Sequence, residues 1–346
     1  MLRTPRALNP SRRNLVVLSP NWLGDAVMAL PALADVRRHF ADARLTVAAR
    51  ASVAALFRMV EGVDDVLALP GRGGLAALTS WKQDVAALAG GGFDTALLFP
   101  NSFASALVVS RAGIAERWGL ATDGRRRLLT RSAPRPRGYA HQADYYQALV
   151  SALGIPNGPL FARVAAPPLD ASLVPEGPYV VLAPGAAYGK AKQWPPERFA
   201  ELSALVRRER AWGVVLVGSR ADAPVCREIV ERSARVAGAV PSAPLVDLSG
   251  RTSLAELAAV LAGARAVVSN DSGAMHLAGA AGARVVAIFG ATNEHRTSPL
   301  TRGPAAPAPR IVATDVWCRP CMLRECPIDH RCMKGVSARD VFGAMG

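Results

Sequence analysis

Three short stretches of this chain put chemistry-bearing side chains directly after apolar runs. In "NWLGDAVMALPAL" (residues 21 to 33) a single carboxylate, Asp25, stands where an apolar strand gives way to a helical pattern. An acid at that place either steadies the positive end of the helix or serves as a general base. In "SNDSGAMHLAGAAG" (269–282), Asp271, Ser272 and Gly273 open a second helix. Free backbone N–H groups at such an opening suit a phosphate, Ser272 adds a hydroxyl, and His276 lies one turn on. The plainer reading is an Asx cap followed by a buried histidine. In "APGAAYGKAKQWPPERF" (183–199), Lys190 and Lys192 sit in a glycine-containing loop before Trp194 and Pro195. A lysine there either neutralises a diphosphate as a point charge or stays solvated. Two further loops carry weaker signals. Asp222 in "GSRAD" suits a ribose hydroxyl, and "FGATNEHRTSPL" offers Thr292 and Asn293.

A different chemistry is written near the C-terminus. Cys318, Cys321, Cys326 and Cys332 fall within 15 residues, with His330 in the last gap. An intracellular chain seldom uses disulfides, so this grouping points to a metal or redox cluster. Four thiolates suit Zn²⁺ in a closed structural site or an iron–sulfur cluster. The fifth cysteine, Cys226, lies in a helical pattern and is expected to be an inert, buried thiol.

The elements that must position these groups alternate along the whole chain. "NLVVLSP", "RLTVAA", "DDVLALP" and "DTALLFP" read as strands in the first half. "YVVLAPG", "GVVLVGS", "PLVDLSG", "AVVSND" and "RVVAIFG" do so in the second. "DAVMALPALADVRRHF", "RFAELSALVRRER" and "SLAELAAVLAGA" read as helices between them. Nearly continuous apolar strands separated by amphipathic helices imply parallel sheets covered on both faces. The 346 residues are too many for one core, and the alternation halts at the proline-rich stretch 164–179. Two α/β domains are expected, an N-terminal one over 14–168 and a C-terminal one over 169–346. Residues 1–13 form a basic, disordered tail without the apolar stretch of a signal peptide, as in a cytoplasmic protein. Open parallel sheets take ligands beyond the carboxyl ends of their strands. Two facing sheets would therefore make a cleft lined by the loops named above.

The formal net charge is +14, with +9 over residues 1–165 and +5 over the remainder. Such a balance favours anionic surfaces or substrates, although an arginine-rich, alanine-rich composition also follows base usage. The segment "DGRRRLLTRSAPRPRG" (123–138) has little apolar periodicity. It reads as an exposed loop, either a solvated insertion or an anion-attracting lip through Arg125, Arg126 and Arg127.

Taken together, "NWLGDAVMALPAL", "PGAAYGKAKQWPPERF", "NDSGAMHLAGAAG" and "CRPCMLRECPIDHRCM" resemble the ADP-heptose:lipopolysaccharide heptosyltransferases, glycosyltransferase family 9. The cysteine-rich tail looks most like that of the heptosyltransferase II branch. The resemblance covers roughly residues 14 to 342. It implies two Rossmann-like domains facing a cleft, the glycosyltransferase B fold, with acceptor on the N-terminal domain and donor on the C-terminal one. It also implies transfer of L-glycero-D-manno-heptose from ADP-heptose to heptosyl-Kdo₂-lipid A of the lipopolysaccharide inner core, with inversion. The family's catalytic aspartate falls on Asp25, its Asp-(Ser/Thr)-Gly-x-x-His on Asp271, Ser272, Gly273 and His276, and its lysine before Trp-Pro on Lys192. Asp222 matches loosely. "GATNEH" departs from the family's usual Gly-Pro loop, leaving Thr292 without a clear counterpart, and residues 123–138 have none.

Inverting transfer needs one base for the acceptor hydroxyl and no covalent intermediate, which a single Asp25 can supply and a serine or threonine could not. The leaving diphosphate needs preorganised positive potential. The sequence has no D-x-D pair for a catalytic metal, so Lys192, His276 and the helix opening are expected to act without one. A monomer at the cytoplasmic face of the inner membrane, meeting no nucleic acid, completes the expectation. The alternatives are a family 9 enzyme for another sugar nucleotide or acceptor, and a basic nucleic-acid-binding protein built on the cysteine knot. A dinucleotide-dependent dehydrogenase is disfavoured because no G-x-G-x-x-G follows the first strand.

Overall fold

The computed structural model of the chain describes residues 13–70, 77–236 and 243–346. The chain divides into two compact units, Met1–Leu160 and Phe161–Gly346. In the first, β1 (Asn14–Leu18), β2 (Arg44–Arg50), β3 (Asp65–Leu69), β4 (Thr95–Leu98), β5 (Glu116–Leu120) and β6 (Arg131–Ala133) form one parallel sheet ordered β3-β2-β1-β4-β5-β6. In the second, β7 (Tyr179–Ala183), β8 (Gly213–Leu216), β9 (Leu245–Asp247), β10 (Ala266–Asn270), β11 (Val285–Phe289) and β12 (Arg310–Ala313) form another, ordered β12-β11-β10-β7-β8-β9. Read from its other edge, the second sheet repeats the order of the first. Both are the doubly wound arrangement, whose strand order reverses between β1 and β4 and again between β7 and β10.

The central strands are apolar on both faces because helices cover both. Leu15, Val16, Val17, Leu97 and Leu98 are at most 1% exposed in the first unit, and Val180 to Leu182 and Val285 to Phe289 likewise in the second. This burial drives the fold, and it leaves the polar residues at the strand ends as the ones with other work to do.

Several expectations need correction. The helical run after β1 is two helices, Leu23–Met28 and Leu30–His39, broken at Ala29. Pro31 near the start of the second helix has no N–H for a continuous ladder. Three strands were not read from the sequence: β5, β6 and β12. The stretch 123–138 is not a plain exposed loop, since it holds the 3₁₀ turn Arg125–Leu128 and β6. The proline-rich residues after 160 belong to the second unit, where Ala162 N–H donates to Thr301 O at 3.2 Å and Val164 N–H to Ala280 O at 3.0 Å. Of the N-terminal tail, residues 1–12 lie outside the described residues. Arg13 is packed rather than free, with its guanidinium 5.4 Å from the Phe40 ring and 5.5 Å from the Trp118 ring.

Candidate active site

Asp25 in one unit, and Lys192 and Asp271 in the other, stand at the two points where strand order reverses. In the first unit, the chain leaves β1 and enters the helix Leu23–Met28, of which Asp25 is the third residue. The preceding Trp22 is 63% exposed and its side chain makes no cap. A carboxylate in this first turn meets the positive end of the helix. It also faces Tyr146 on the helix Gln142–Ala152. Burial pushes the Tyr146 phenol well above its ordinary range, and the charge of Asp25 pushes it further in the same direction. Asp25 itself is half-buried.

In the second unit, β10 ends at Asn270 and the helix Gly273–Ala281 begins three residues on. Ser272 occupies the N-cap position, yet its side chain does not cap; its Oγ lies 3.0 Å from Ser269 Oγ. The first N–H groups of that helix therefore have no side-chain cap, the arrangement that accommodates an anion. Asp271 is 5% exposed and is the hub of the site. Its Oδ2 accepts from Lys192 Nζ at 2.6 Å and from Thr292 Oγ1 at 2.6 Å. Thr297 Oγ1 is 3.5 Å from the same oxygen, and His276 Nε2 stands 4.0 Å from Oδ1. Lys192, on the 3₁₀ turn Lys190–Lys192 of the loop after β7, also lies 4.8 Å above the Tyr188 ring. Lys190 stays exposed.

The sequence-predicted group is thus divided by role. Lys192, Asp271, Thr292, His276, Ser272 and Gly273 come together. Asp271 and Thr292 stand behind Lys192, so that a buried carboxylate holds an ammonium at the helix opening. Asp222 is placed beside the same loop: a Cβ on Gly185 would come within 2.6 Å of its carboxylate oxygens. That carboxylate accepts from Ser219 N–H at 2.8 Å and Ser219 Oγ at 2.7 Å, capping its own turn.

Arg125 does not join an exposed lip. It is completely buried, and its guanidinium donates to the carbonyls of Leu120 at 2.8 Å and Pro100 at 2.5 Å and to Ser105 Oγ at 3.1 Å. Burial lowers its pKa, partly offset by Tyr145 and Asp123. Of the three consecutive arginines on this turn, Arg125 points into the unit, while Arg126 and Arg127 are exposed.

Cys318, Cys321, Cys326 and Cys332 line one cavity of about 20 Å³ together with His330. All four are free thiols. Burial raises the Cys332 pKa, and the neighbouring thiols of Cys318, Cys326 and Cys321 raise it further. As placed, no three His, Cys, Asp or Glu side chains among the described residues are gathered closely enough to hold an ion. Cys226 is elsewhere, fully buried, with its thiol pushed up to about 12 by burial.

This segment lies against the Lys192 loop. Ala191 N–H donates to Arg324 O at 3.0 Å, His330 Nε2 is 2.9 Å from Ala191 O, and Tyr188 Oη donates to Met322 O at 2.9 Å. Gly189 has no room for a side chain because the Arg324 backbone is pressed against it. Sequence reasoning missed Asn270, whose amide joins two distant parts of the same loop. The signal was an amide closing a strand that is otherwise buried and apolar.

Residues 84–331 match the model of glycosyltransferase family 9 (heptosyltransferase). The chain belongs to glycosyltransferase family 9. Lipopolysaccharide heptosyltransferase 2 of Salmonella typhimurium is 28% identical over 305 residues, covering 83% of this chain and 85% of its own. Lipooligosaccharide heptosyltransferase 2 of Haemophilus influenzae is 27% identical over 308 residues, covering 83% and 86%. Among solved structures, the E. coli ADP-heptose lipopolysaccharide heptosyltransferase II superposes with a TM-score of 0.77 at 25% identity, covering 96% of this chain and 97% of that one. Within family 9, the two doubly wound units are those of the glycosyltransferase B fold, as the sequence motifs imply.

Proposed function

We propose that this family 9 chain is an inverting glycosyltransferase that moves L-glycero-D-manno-heptose from ADP-heptose to heptosyl-Kdo₂-lipid A. The observation that carries the reading is the ammonium of Lys192, held at 2.6 Å by Asp271 beside an uncapped helix opening at a strand-order reversal. The donor diphosphate takes the N–H groups at Gly273 and the charge of Lys192. That preorganised positive potential stabilises the leaving ADP. Asp271 and Thr292 orient the lysine. His276 and the Ser272 hydroxyl complete the donor surroundings, and Asp222 lies where a ribose could be read beside Gly185.

Asp25 removes the proton of the attacking hydroxyl as the anomeric bond opens. Arg126 and Arg127 supply positive charge for the phosphates and carboxylates of the acceptor. Catalysis needs no metal, because the sequence lacks a D-x-D pair and the cations named above do that work. A structural zinc ion or iron–sulfur cluster at Cys318, Cys321, Cys326 and Cys332 is supported by the convergence of the four thiols on one cavity. Its ligands would have to close up from their present positions. Metal analysis of protein purified without air tests it. No helix among the described residues is long and apolar enough to cross a membrane. The protein acts as a monomer on the cytoplasmic side, meeting its lipid-linked acceptor peripherally.

The deciding assay is ADP release from ADP-heptose in the presence of heptosyl-Kdo₂-lipid A, with other sugar nucleotides as parallel donors. Release should need both substrates, survive EDTA and fail in Asp25→Asn. A strict Mg²⁺ requirement, or preference for another donor, would contradict it.

A further inference from the structure

Asn270 is the last residue of β10 and is completely buried. Both ends of its amide are engaged. Nδ2 donates to the Pro184 carbonyl at 2.7 Å, and Oδ1 accepts from the Trp194 N–H at 3.0 Å. Pro184 directly follows β7, and Trp194 stands just before the helix Pro196–Glu209. One side chain therefore closes the loop 185–193 at both of its necks and ties it to the strand that leads into Asp271. The same loop carries Lys192.

We infer that Asn270 is a positioning residue for nucleoside diphosphate binding, a role that rests on the donor reading given above. It fixes the two necks so that the Lys192 ammonium stands against the helix opening rather than sweeping with its loop. The tip of the loop is held separately, by Arg324, His330 and Met322. Trp194 itself is anchored, with Nε1 donating to Val336 O at 3.0 Å, so through Asn270 the strand end, both necks and the anchored indole share one frame. The site demands a donor and an acceptor on neighbouring atoms of one short side chain, which among the short side chains is what an asparagine amide provides. A carboxylate of the same shape would turn an acceptor toward the Pro184 carbonyl and could satisfy both necks only when protonated.

That asymmetry gives a test that general destabilisation would not reproduce. ADP affinity is measured by calorimetry from pH 5.5 to 9.5 for wild type, Asn270→Ala and Asn270→Asp, with thermal unfolding alongside. Lys192, Asp271 and His276 surround the site, and Asp222 faces the first neck at Gly185. All four remain in every variant, so the ratio of variant to wild-type Kd is read at each pH. Asn270→Ala should weaken ADP at least tenfold with a ratio that is flat in pH. In Asn270→Asp, burial favours the neutral carboxyl. Its ratio should fall toward one as pH is lowered through the raised pKa, and it should stay below that of Asn270→Ala at the acid end. If Asn270→Ala does not fold, Asn270→Ser takes its place with the same expectation. An alanine or serine variant within twofold of wild type overturns the inference, as does an Asn270→Asp ratio that stays high and flat throughout. A wild-type protein that does not bind ADP overturns the donor reading instead.

Discussion

Replacing Lys192 by methionine should separate what the Lys192–Asp271 pair does for the fold from what it does for a diphosphate. The two groups meet at 2.6 Å with side chains 13% and 5% exposed, so neither is strongly screened by water. Removing one member of such a pair leaves the other charge buried, at a cost of about 3–5 kcal/mol. Thr292 still donates to Asp271, which favours the lower end. For a unit of 150–250 residues about 3 kcal/mol corresponds to roughly 6–12 °C in Tm. Asp271→Asn in the same chain removes the stranded charge, so the double variant should regain most of that loss. Binding behaves differently. A unit charge about 4 Å from a phosphate is worth about 4 kcal/mol at an effective dielectric near 20. Screening by salt reduces this to about 2–3 kcal/mol, on the order of 100-fold in Kd. Lys192→Met alone, which also leaves the Asp271 charge uncompensated, should therefore bind ADP at least on the order of 100-fold more weakly than wild type. The double variant should be stable, and because the Asp271 charge leaves with the lysine it should bind only roughly tenfold more weakly. Thermal unfolding and ADP calorimetry on the four proteins of the cycle read both quantities. An unchanged Tm in Lys192→Met would refute the buried ion pair. Wild-type ADP affinity in Lys192→Met would refute the lysine's place at the diphosphate.

Asp25→Asn should lower kcat by about 10²–10⁴, the usual contribution of a general base, while ADP binding stays within about twofold. An equal loss in ADP affinity would move Asp25 to a binding role. Arg125→Ala should destabilise the first unit by about 3 kcal/mol or more, because buried carbonyls lose their donor. The pair Arg126→Ser and Arg127→Ser should stay within about 0.5 kcal/mol of wild type and raise the acceptor KM more than the donor KM. Chemical denaturation and steady-state kinetics distinguish these. Cys226, with its thiol pushed up to about 12, should stay unalkylated in the native protein at pH 8, where about one molecule in 10⁴ carries its thiolate. Mass spectrometry after native iodoacetamide treatment reads this directly, and ready modification would show that the helix around it opens.

Most of the sheet was legible because a strand covered by helices on both faces must be apolar throughout, as "NLVVL" and "VVAIF" are. The strands that escaped notice lack that constraint. β12 is an edge strand whose residues are mostly exposed, β6 is three residues long, and β5 mixes Glu116 and Arg117 with Trp118. Site residues followed the same logic. Asp25 and Asp271 could be found because each follows an apolar run with a charge, and Lys192 because it stands in a glycine-containing loop after such a run. Arg125 could not be told from Arg126 and Arg127, since three identical neighbours differ only in the direction a turn sends them. Asn270 left only a faint trace, an amide closing an apolar strand, because its partners Pro184 and Trp194 are 86 and 76 positions away in the chain. Only folding brings an amide between them.

The strand order that occurs twice in this chain has a consequence for how such enzymes diversify. Each half carries its own complete scaffold, with its own core and its own reversal point. Loops at the reversal point of one half can lengthen, shorten or change charge without disturbing the core that supports the other. Change can then be confined to one module at a time, each trial variant keeping the other module's fold intact.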